Sequence, residues 1–443
     1  MKKIIIAGFG SAGYAASIAI KKNMPAAEIT VIDNKESDLM HPCALPYSLE
    51  GIVKEEDVLQ NINLPGMKIK KIKSIAVKAD TSSKKLFINS DETNSVEYDS
   101  LILSTGARPL IPPVKGISDL INKKIFTLSN INDLKYISKA ITGASHAVII
   151  GGGAIGLESA FALKKAGLSV SVAEGRAQIL PGILDEDMSQ IAEEYIKTSG
   201  IEVLTSSMIS EIKDNNGLEL SIDKGGVIKS DFAILAAGFK PDTSIAELSG
   251  LNVCPNGIVT DKRLMTSAQD VYAAGDCVSG WSIISGKESR AKLATSAYKH
   301  GTIAGLNASG GNFEYRGTAG TFVTMIGELE IAGTGFNTEI SRLYGFDPVS
   351  GKIKTNILPE YFPSNSQIQI KIIFDKTSGK ILGAQAVGKK GCAERMNIIS
   401  MAIEFGISIE DIGRLEMAYC PAVSEVNDPL LRAVDFGLRR IKK

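Results

Sequence analysis

Apolar residues along this chain gather in short dense runs, and the most telling run occurs twice. Ile4-Ile5-Ile6-Ala7 leads directly into Gly8-Phe9-Gly10-Ser11-Ala12-Gly13, and Ala147-Val148-Ile149-Ile150 leads into Gly151-Gly152-Gly153-Ala154-Ile155-Gly156. A short unbroken apolar run bounded by Gly reads as a strand buried on both faces. Each Gly turn is followed by a stretch of helical period, residues 14–22 and 157–166. Each helix is followed by a second β-rich run, residues 28–33 and 169–174. Strand, Gly turn, helix, strand is a βαβ unit, and its crossover makes the two strands parallel.

Further runs extend this organisation. Residues 232–237 form another apolar run, closed by Gly238 and Pro241, and residues 270–276 read as a strand ending in a turn. The latter brings the chain back to the first domain, so the second is expected as an insertion. Past residue 318 the pattern changes. Residues 321–331 and 368–374 read as strands, and 396–405 and 408–415 as helices, with Ser408 placed to cap the last. The expected fold is α/β: two Rossmann-like nucleotide-binding domains, the second inserted in the first, and an α+β carboxy-terminal dimerisation domain. The boundaries are 1–110 with 245–317, then 111–244, then 318–443.

Composition narrows the function. At 443 residues the chain is too long for one ordinary core. Lys+Arg and Asp+Glu both total 49, leaving no net field to attract nucleic acid or a membrane surface. The lysines between 68 and 73 read as a solvated surface, or as a small patch for a phosphate. Five Cys, at 43, 254, 277, 392 and 420, are odd in number and scattered. They describe no disulfide framework, so a cytoplasmic location is expected. The first residues are too few and too mixed for a signal peptide. No apolar run approaches the ~20 residues of a spanning helix. No metal site is expected.

In G-x-G-x-x-G the first Gly makes the tight turn, the second admits pyrophosphate to the backbone, and the third lets helix pack on strand. Gly8, Gly10 and Gly13 fill these places in the first copy, and Gly151, Gly153 and Gly156 in the second. Asp33 and Glu174 end the following strands, where an acid accepts a hydrogen bond from a ribose 2′-hydroxyl. A carboxylate at Glu174 would repel a 2′-phosphate, which favours NADH over NADPH. Arg176, close by, is a cation that could hold such a phosphate, though it also reads as a solvated surface residue.

His41-Pro42-Cys43-Ala44-Leu45-Pro46-Tyr47 follows the first unit, and two prolines restrict the backbone around Cys43. A rigid thiol there reads either as a redox relay or as an inert buried Cys. No second Cys lies within a few residues, so a local dithiol is excluded. His41 could favour the thiolate, or simply face solvent.

At this point the chain resembles, over essentially its full length, the pyridine nucleotide-disulfide oxidoreductases. It is most similar to their single-cysteine branch of coenzyme A-disulfide reductases, NADH oxidases and NADH peroxidases. The resemblance rests on the two Gly turns, Cys43-Ala44-Leu45-Pro46-Tyr47, Ser104-Thr105-Gly106-Ala107-Arg108-Pro109, Ala236-Ala237-Gly238 and Ala274-Gly275-Asp276. It implies FAD on Gly8, Gly10, Gly13, Asp33, Pro42, Thr105, Gly106, Gly275 and Asp276, the last on the ribityl chain. It implies NADH along Gly151, Gly153, Gly156, Glu158, Glu174 and Gly238. Cys43 would be the sole active-site thiol, alternating between thiolate and a mixed disulfide with coenzyme A, or a sulfenic acid. A homodimer would bring Tyr419 of one subunit toward Cys43 of the other. Tyr361 and Tyr419 would assist substrate reduction, or merely pack the interface. Lys22 would meet coenzyme A phosphate, and His300 would lie on the substrate side.

Two departures from the family pattern matter. Ser11 stands where peroxidases carry a His, which counts against peroxide chemistry. Cys420 replaces a usual small residue beside Tyr419, and is either a packed small side chain or a resolving thiol for Cys43. Three readings follow: a reductase of coenzyme A disulfide or persulfide, an NADH oxidase acting on oxygen through a Cys43 sulfenate, and an electron-transfer subunit of a larger complex.

Overall fold

The computed structural model describes residues 1–89, 94–289 and 291–441. Residues 90–93 and 442–443, which fall inside the expected first and third domains, lie outside the described residues, as does 290. The chain forms two compact units. One comprises Met1–Pro42, Lys54–Leu110 and Phe239–Thr318; the other comprises Cys43–Val53, Ile111–Gly238 and Ala319–Lys443.

The first unit is built on a five-stranded parallel sheet. Its order is Val271–Ala273, Ser100–Leu103, Lys3–Ala7, Glu28–Ile32, Ile69–Ile72. Ile4, Ile5, Ile6, Leu101, Ile102 and Leu103 are wholly enclosed, as continuous apolar strands of a covered parallel sheet must be. The helix Ser11–Asn23 crosses Ala294–Ala308 closely. A Cβ on Gly301 would lie 2.0 Å from the Ala12 carbonyl oxygen, so only Gly permits this approach.

The second unit repeats that plan. Ile125–Phe126, Phe232–Leu235, His146–Ile150, Ser169–Ala173 and Glu202–Leu204 form a parallel sheet in which the last four strands follow the order of their counterparts, while the outer strand Ile125–Phe126 precedes them in the chain instead of following. Its carboxy-terminal part is an antiparallel sheet ordered Phe322–Ile326, Leu329–Gly335, Ile381–Gly388, Gln367–Asp375, Pro348–Asn356. The helices Cys392–Phe405 and Pro429–Ile441 pack on this sheet. Two Rossmann-like sheets with an α+β carboxy-terminal part are the fold the sequence predicts.

One element differs from expectation. Residues 321–331 are not a single strand but open a hairpin, turned at Gly327, whose φ is +61°. A positive φ at a two-residue turn matches the twist of the flanking strands. Ser408 does cap the short helix Ile409–Ile412, its hydroxyl accepting from the Asp411 N–H at 3.2 Å.

Candidate functional sites

The two Gly turns are built alike, atom for atom. Gly8 has φ +94°, and a Cβ there would lie 2.3 Å from the Ser104 carbonyl oxygen. Gly151 has φ +115°, and its Cβ would lie 2.4 Å from the Ala236 carbonyl oxygen. A Cβ on Gly13 would meet the Gly8 oxygen at 2.3 Å, and one on Gly156 the Gly151 oxygen at 2.1 Å. Gly10 and Gly153 are the exceptions, with nothing within 4 Å of a built Cβ. These two open positions are the N-caps of the helices Ser11–Asn23 and Ala154–Lys165, which carry no side-chain cap. Free N–H groups of a first turn thus face unfilled space, and anions bind there.

The terminal acids are duplicated as well. Asp33 is buried, and one oxygen accepts the Phe9 N–H at 2.6 Å while the other accepts the Lys35 N–H at 2.8 Å. Glu174 is buried, accepting the Gly152 N–H at 2.7 Å and the Arg176 N–H at 2.7 Å. Each acid therefore clamps the second residue of its turn and retains lone pairs for a ribose. Both turns fit a dinucleotide.

In the first unit, the strand end at Leu103 leads to Thr105, whose hydroxyl donates to the Asp242 carbonyl at 2.7 Å. Gly106, at φ +74°, accepts from the Asp242 N–H at 3.0 Å. Gly275 and Asp276 line a small cavity with Lys292, His300, Tyr315 and Thr318. Burial pushes the Asp276 carboxyl up, opposed by the charge of Lys292. Burial likewise lowers Lys292, whose ammonium donates to the Asn256 and Val278 carbonyls at 2.8 and 2.6 Å. Asp276 and Lys292, partly buried polar groups around one cavity, suit the polar side of a flavin dinucleotide. Lys292 carries no motif, and the sequence does not single it out.

His300 stands in this same cavity, 5% exposed, rather than on an open substrate face. The ring stands edge-on to Tyr315, centroids 4.4 Å apart, and the Gly275 backbone only partly offsets its burial. Burial pushes its pKa down to about 4. Unfolded, the same ring takes its proton near 6.5. The unfolded chain therefore binds more protons between about pH 6.5 and 4, and stability drains away as pH falls through that window. The loss reaches about 3 kcal/mol at its lower end. A urea-denaturation series should show the wild-type midpoint falling more from pH 7 to pH 5 than that of His300→Gln; equal falls would contradict this. Lys22 lies exposed in the last turn of Ser11–Asn23.

In the second unit, Cys43 is exposed and sits in a helical turn, Pro42–Ala44, that runs into the helix Leu45–Leu49. Pro42 is exposed too. His41, in the first unit, turns its ring to Gln60, with Nε2 at 3.1 Å from Oε1. The helix Leu45–Leu49 packs on Ala154–Lys165. There the Glu158 carboxylate accepts the Thr324 hydroxyl at 2.6 Å, and the Tyr47 hydroxyl donates toward it. Burial raises Glu158, against both of these donors. Gly238 has φ +101° with open space around it.

Tyr361 and Tyr419 come together, hydroxyl to hydroxyl at 3.4 Å, and both are exposed. The Tyr361 hydroxyl is the main influence raising Tyr419. The loop carrying Tyr419 and Cys420 is anchored at its end by a buried pair. Arg395 donates to both Asp428 oxygens, at 2.9 and 2.6 Å, and Asp428 also accepts the Leu430 N–H at 2.8 Å. Cys420 is exposed, and its N–H meets the Ser424 hydroxyl at 3.3 Å. No helix among the described residues is long and apolar enough to cross a membrane.

Comparison with known proteins agrees with this construction. Residues 2–301 match the family model described as pyridine nucleotide-disulphide oxidoreductase, and residues 321–429 match its dimerisation domain. An "NADH oxidase" of Methanocaldococcus jannaschii is 33% identical, covering 99% of each chain. An "NAD(P)H sulfur oxidoreductase (CoA-dependent)" of Pyrococcus furiosus is 30% identical over 97% of this chain and 98% of that one. The solved NAD-dependent persulfide reductase from A. fulgidus superposes with a TM-score of 0.95 at 29% identity, covering 99% of this chain and 83% of that one.

Proposed function

Because the chain belongs to the pyridine nucleotide-disulphide oxidoreductases, we propose that it reduces small disulfides or persulfides of the coenzyme A type, with Cys43 as the sulfur relay. It is an NAD(P)H oxidoreductase of flavoprotein type. One observation carries the substrate reading: Cys43 is exposed on a restrained helical turn, in a protein whose relatives include a CoA-dependent sulfur oxidoreductase. FAD, when bound, accepts a hydride from reduced nicotinamide and passes the electron pair to sulfur.

The chain's own residues do the rest. The first Gly turn, Asp33, Pro42, Thr105, Gly106, Gly275 and Asp276 hold FAD; the second turn, Glu158, Glu174 and Gly238 hold the nicotinamide nucleotide. Cys43 thiolate attacks a disulfide R–S–S–R. One S–S bond breaks, a bond forms between the Cys43 sulfur and the other RS group, and RS⁻ departs, taking a proton from Tyr419 with Tyr361 beside it; a solvent proton then restores the Tyr419 phenol. Two electrons and one proton from NADH then cleave the mixed disulfide, releasing RSH and restoring the thiolate. Overall, RSSR, NADH and a proton give two RSH and NAD⁺. Lys22 would meet a substrate phosphate. The dimerisation domain supports a homodimer in which the tyrosines serve the partner's Cys43, and the scattered cysteines support a cytoplasmic setting.

NADH is proposed over NADPH. Glu174 carries a buried carboxylate that a 2′-phosphate would have to approach. Glu174→Ala, with Arg176 kept, should shift the NADPH/NADH ratio of kcat/KM by ~10-fold toward NADPH, about 1.4 kcal/mol. An unchanged ratio, from steady-state kinetics, would remove Glu174 from this role. A second reading, oxygen reduction through a Cys43 sulfenate, is favoured by the relative named NADH oxidase. Oxygen uptake measured against thiol release under NADH separates the two: coenzyme A disulfide turnover without oxygen uptake supports the reductase.

A further inference from the structure

Tyr361 and Tyr419 meet at two separate loops, and their own bond does little to hold them. A strong O–H···O bond is short, near ~2.8 Å. These hydroxyls stand 3.4 Å apart, on residues 74% and 48% exposed. Water competes for both groups, and each side chain keeps rotamer freedom that a long bond cannot freeze. Order at the pair must come from the backbone beneath it. Asn365 and Ser424 have no role above, and each closes one of the two loops.

On the first loop the Phe362 N–H donates to the Pro359 carbonyl at 2.9 Å, and Tyr361 is the third residue of that turn. Asn365 spans its base. Oδ1 accepts the Leu358 and Ser366 N–H groups at 3.1 and 2.9 Å, and Nδ2 donates to the Leu358 and Pro359 carbonyls at 2.6 and 3.1 Å. An amide side chain has two acceptor sites and two hydrogens, so all four are used; no other side chain of that length offers two of each. On the second loop the Ser424 hydroxyl donates to the Ala418 carbonyl at 2.9 Å and accepts the Cys420 N–H at 3.3 Å. It therefore brackets Tyr419 on both sides. We propose that Asn365 and Ser424 are positioning residues that hold the Tyr361 and Tyr419 hydroxyls together for proton delivery to the departing thiolate. Packing an interface needs only the rings. Delivering a proton needs the hydroxyls placed, and the six bonds to Asn365 and Ser424 fix the backbone that places them. The inference rests on Tyr419 protonating the departing thiolate, as proposed above.

FAD-loaded protein reducing coenzyme A disulfide with NADH gives the readout, with transfer to an artificial dye as the control. Asn365→Ala should lower kcat for the disulfide by at least ~5-fold, with KM and dye transfer each within about twofold of wild type. Tyr361→Phe should itself lower kcat. Asn365→Ala added to it should cost less than about a further twofold, because the hydroxyl it places is already gone. Ser424→Ala should behave in the same way with Tyr419→Phe, while Ser424→Thr, which keeps a hydroxyl, should hold kcat within about twofold of wild type. This second cycle carries the test if Asn365→Ala does not fold. Losses that multiply in the double variants, or wild-type kcat in both Asn365→Ala and Ser424→Ala, overturn the positioning role and leave the functional reading standing. Wild-type kcat in both Tyr361→Phe and Tyr419→Phe overturns the tyrosines' part in that reading and the inference with it.

Discussion

Cys43→Ser should abolish disulfide turnover, by at least ~10³-fold in kcat, while transfer from NADH to an artificial dye stays within about threefold of wild type. The contrast follows from where each acceptor takes its electrons. A dye draws on the flavin, whose proposed site is the first Gly turn, Asp33 and the cavity around Asp276. A disulfide must first exchange with a thiolate, and a Ser hydroxyl neither attacks sulfur at neutral pH nor forms the mixed disulfide. Losing a covalent nucleophile removes a step rather than weakening it, so the effect is large. The two buried cysteines offer no rescue. Cys277 and Cys392 are buried, and burial pushes both thiols up, away from the reactive thiolate. Disulfide turnover within tenfold of wild type in purified Cys43→Ser would refute the relay. Dye reduction lost together with it would instead point to a damaged fold.

Gly8→Ala and Gly151→Ala should each cost at least ~3 kcal/mol, and they should fail in different ways. Both positions hold φ values that an L-residue with a Cβ rarely adopts, +94° and +115°, a strain of about 1–3 kcal/mol each. At each, the added Cβ would also stand about 2.3–2.4 Å from a backbone carbonyl of the neighbouring strand end, Ser104 or Ala236. Backbone oxygens cannot swing aside as a side chain can, so strand and turn must separate. Gly8→Ala is expected to purify without FAD and to lose all activities. Gly151→Ala is expected to retain FAD and lose NADH binding, seen as a visible flavin spectrum with no bleaching by NADH. Gly10→Ala is the control: open space surrounds its Cβ position. It should be milder in thermal denaturation, whatever it does to nucleotide affinity. Equal thermal losses at Gly8 and Gly10 would contradict the assigned division of labour within the turn.

These glycines are legible in sequence because each one's task is local. Turn, close approach and helix packing are decided within six residues, and the same spacing recurs with the same steric reason. The acids Asp33 and Glu174 are legible for a similar cause, since strand length fixes where they end. Other features depend on packing that spacing cannot express. The hairpin Phe322–Ile326 with Leu329–Gly335 reads as one strand because Gly327 alone marks the turn within a strongly β-forming run. Tyr47, Glu158 and Thr324 come from three distant segments and meet only in the folded unit. His300 reads as a substrate-side residue; its enclosure comes from Tyr315 and the cavity around Gly275 and Lys292, brought to it only by the folded unit. By contrast, the helix Pro429–Ile441 is absent from the expected elements although its signal is local. Leu430, Ala433, Val434 and Gly437 form a buried stripe at helical spacing.

Electrons from NADH that reach a sulfur bonded to Cys43 can be counted. Protein loaded with FAD and treated with coenzyme A disulfide, then cleared of excess, is titrated with NADH without oxygen while released thiol is assayed. Flavin and mixed disulfide are each two-electron acceptors. Wild-type protein should therefore consume two NADH per chain and release one thiol, and Cys43→Ser should consume one and release none. One NADH per wild-type chain, with no thiol released, would contradict the account.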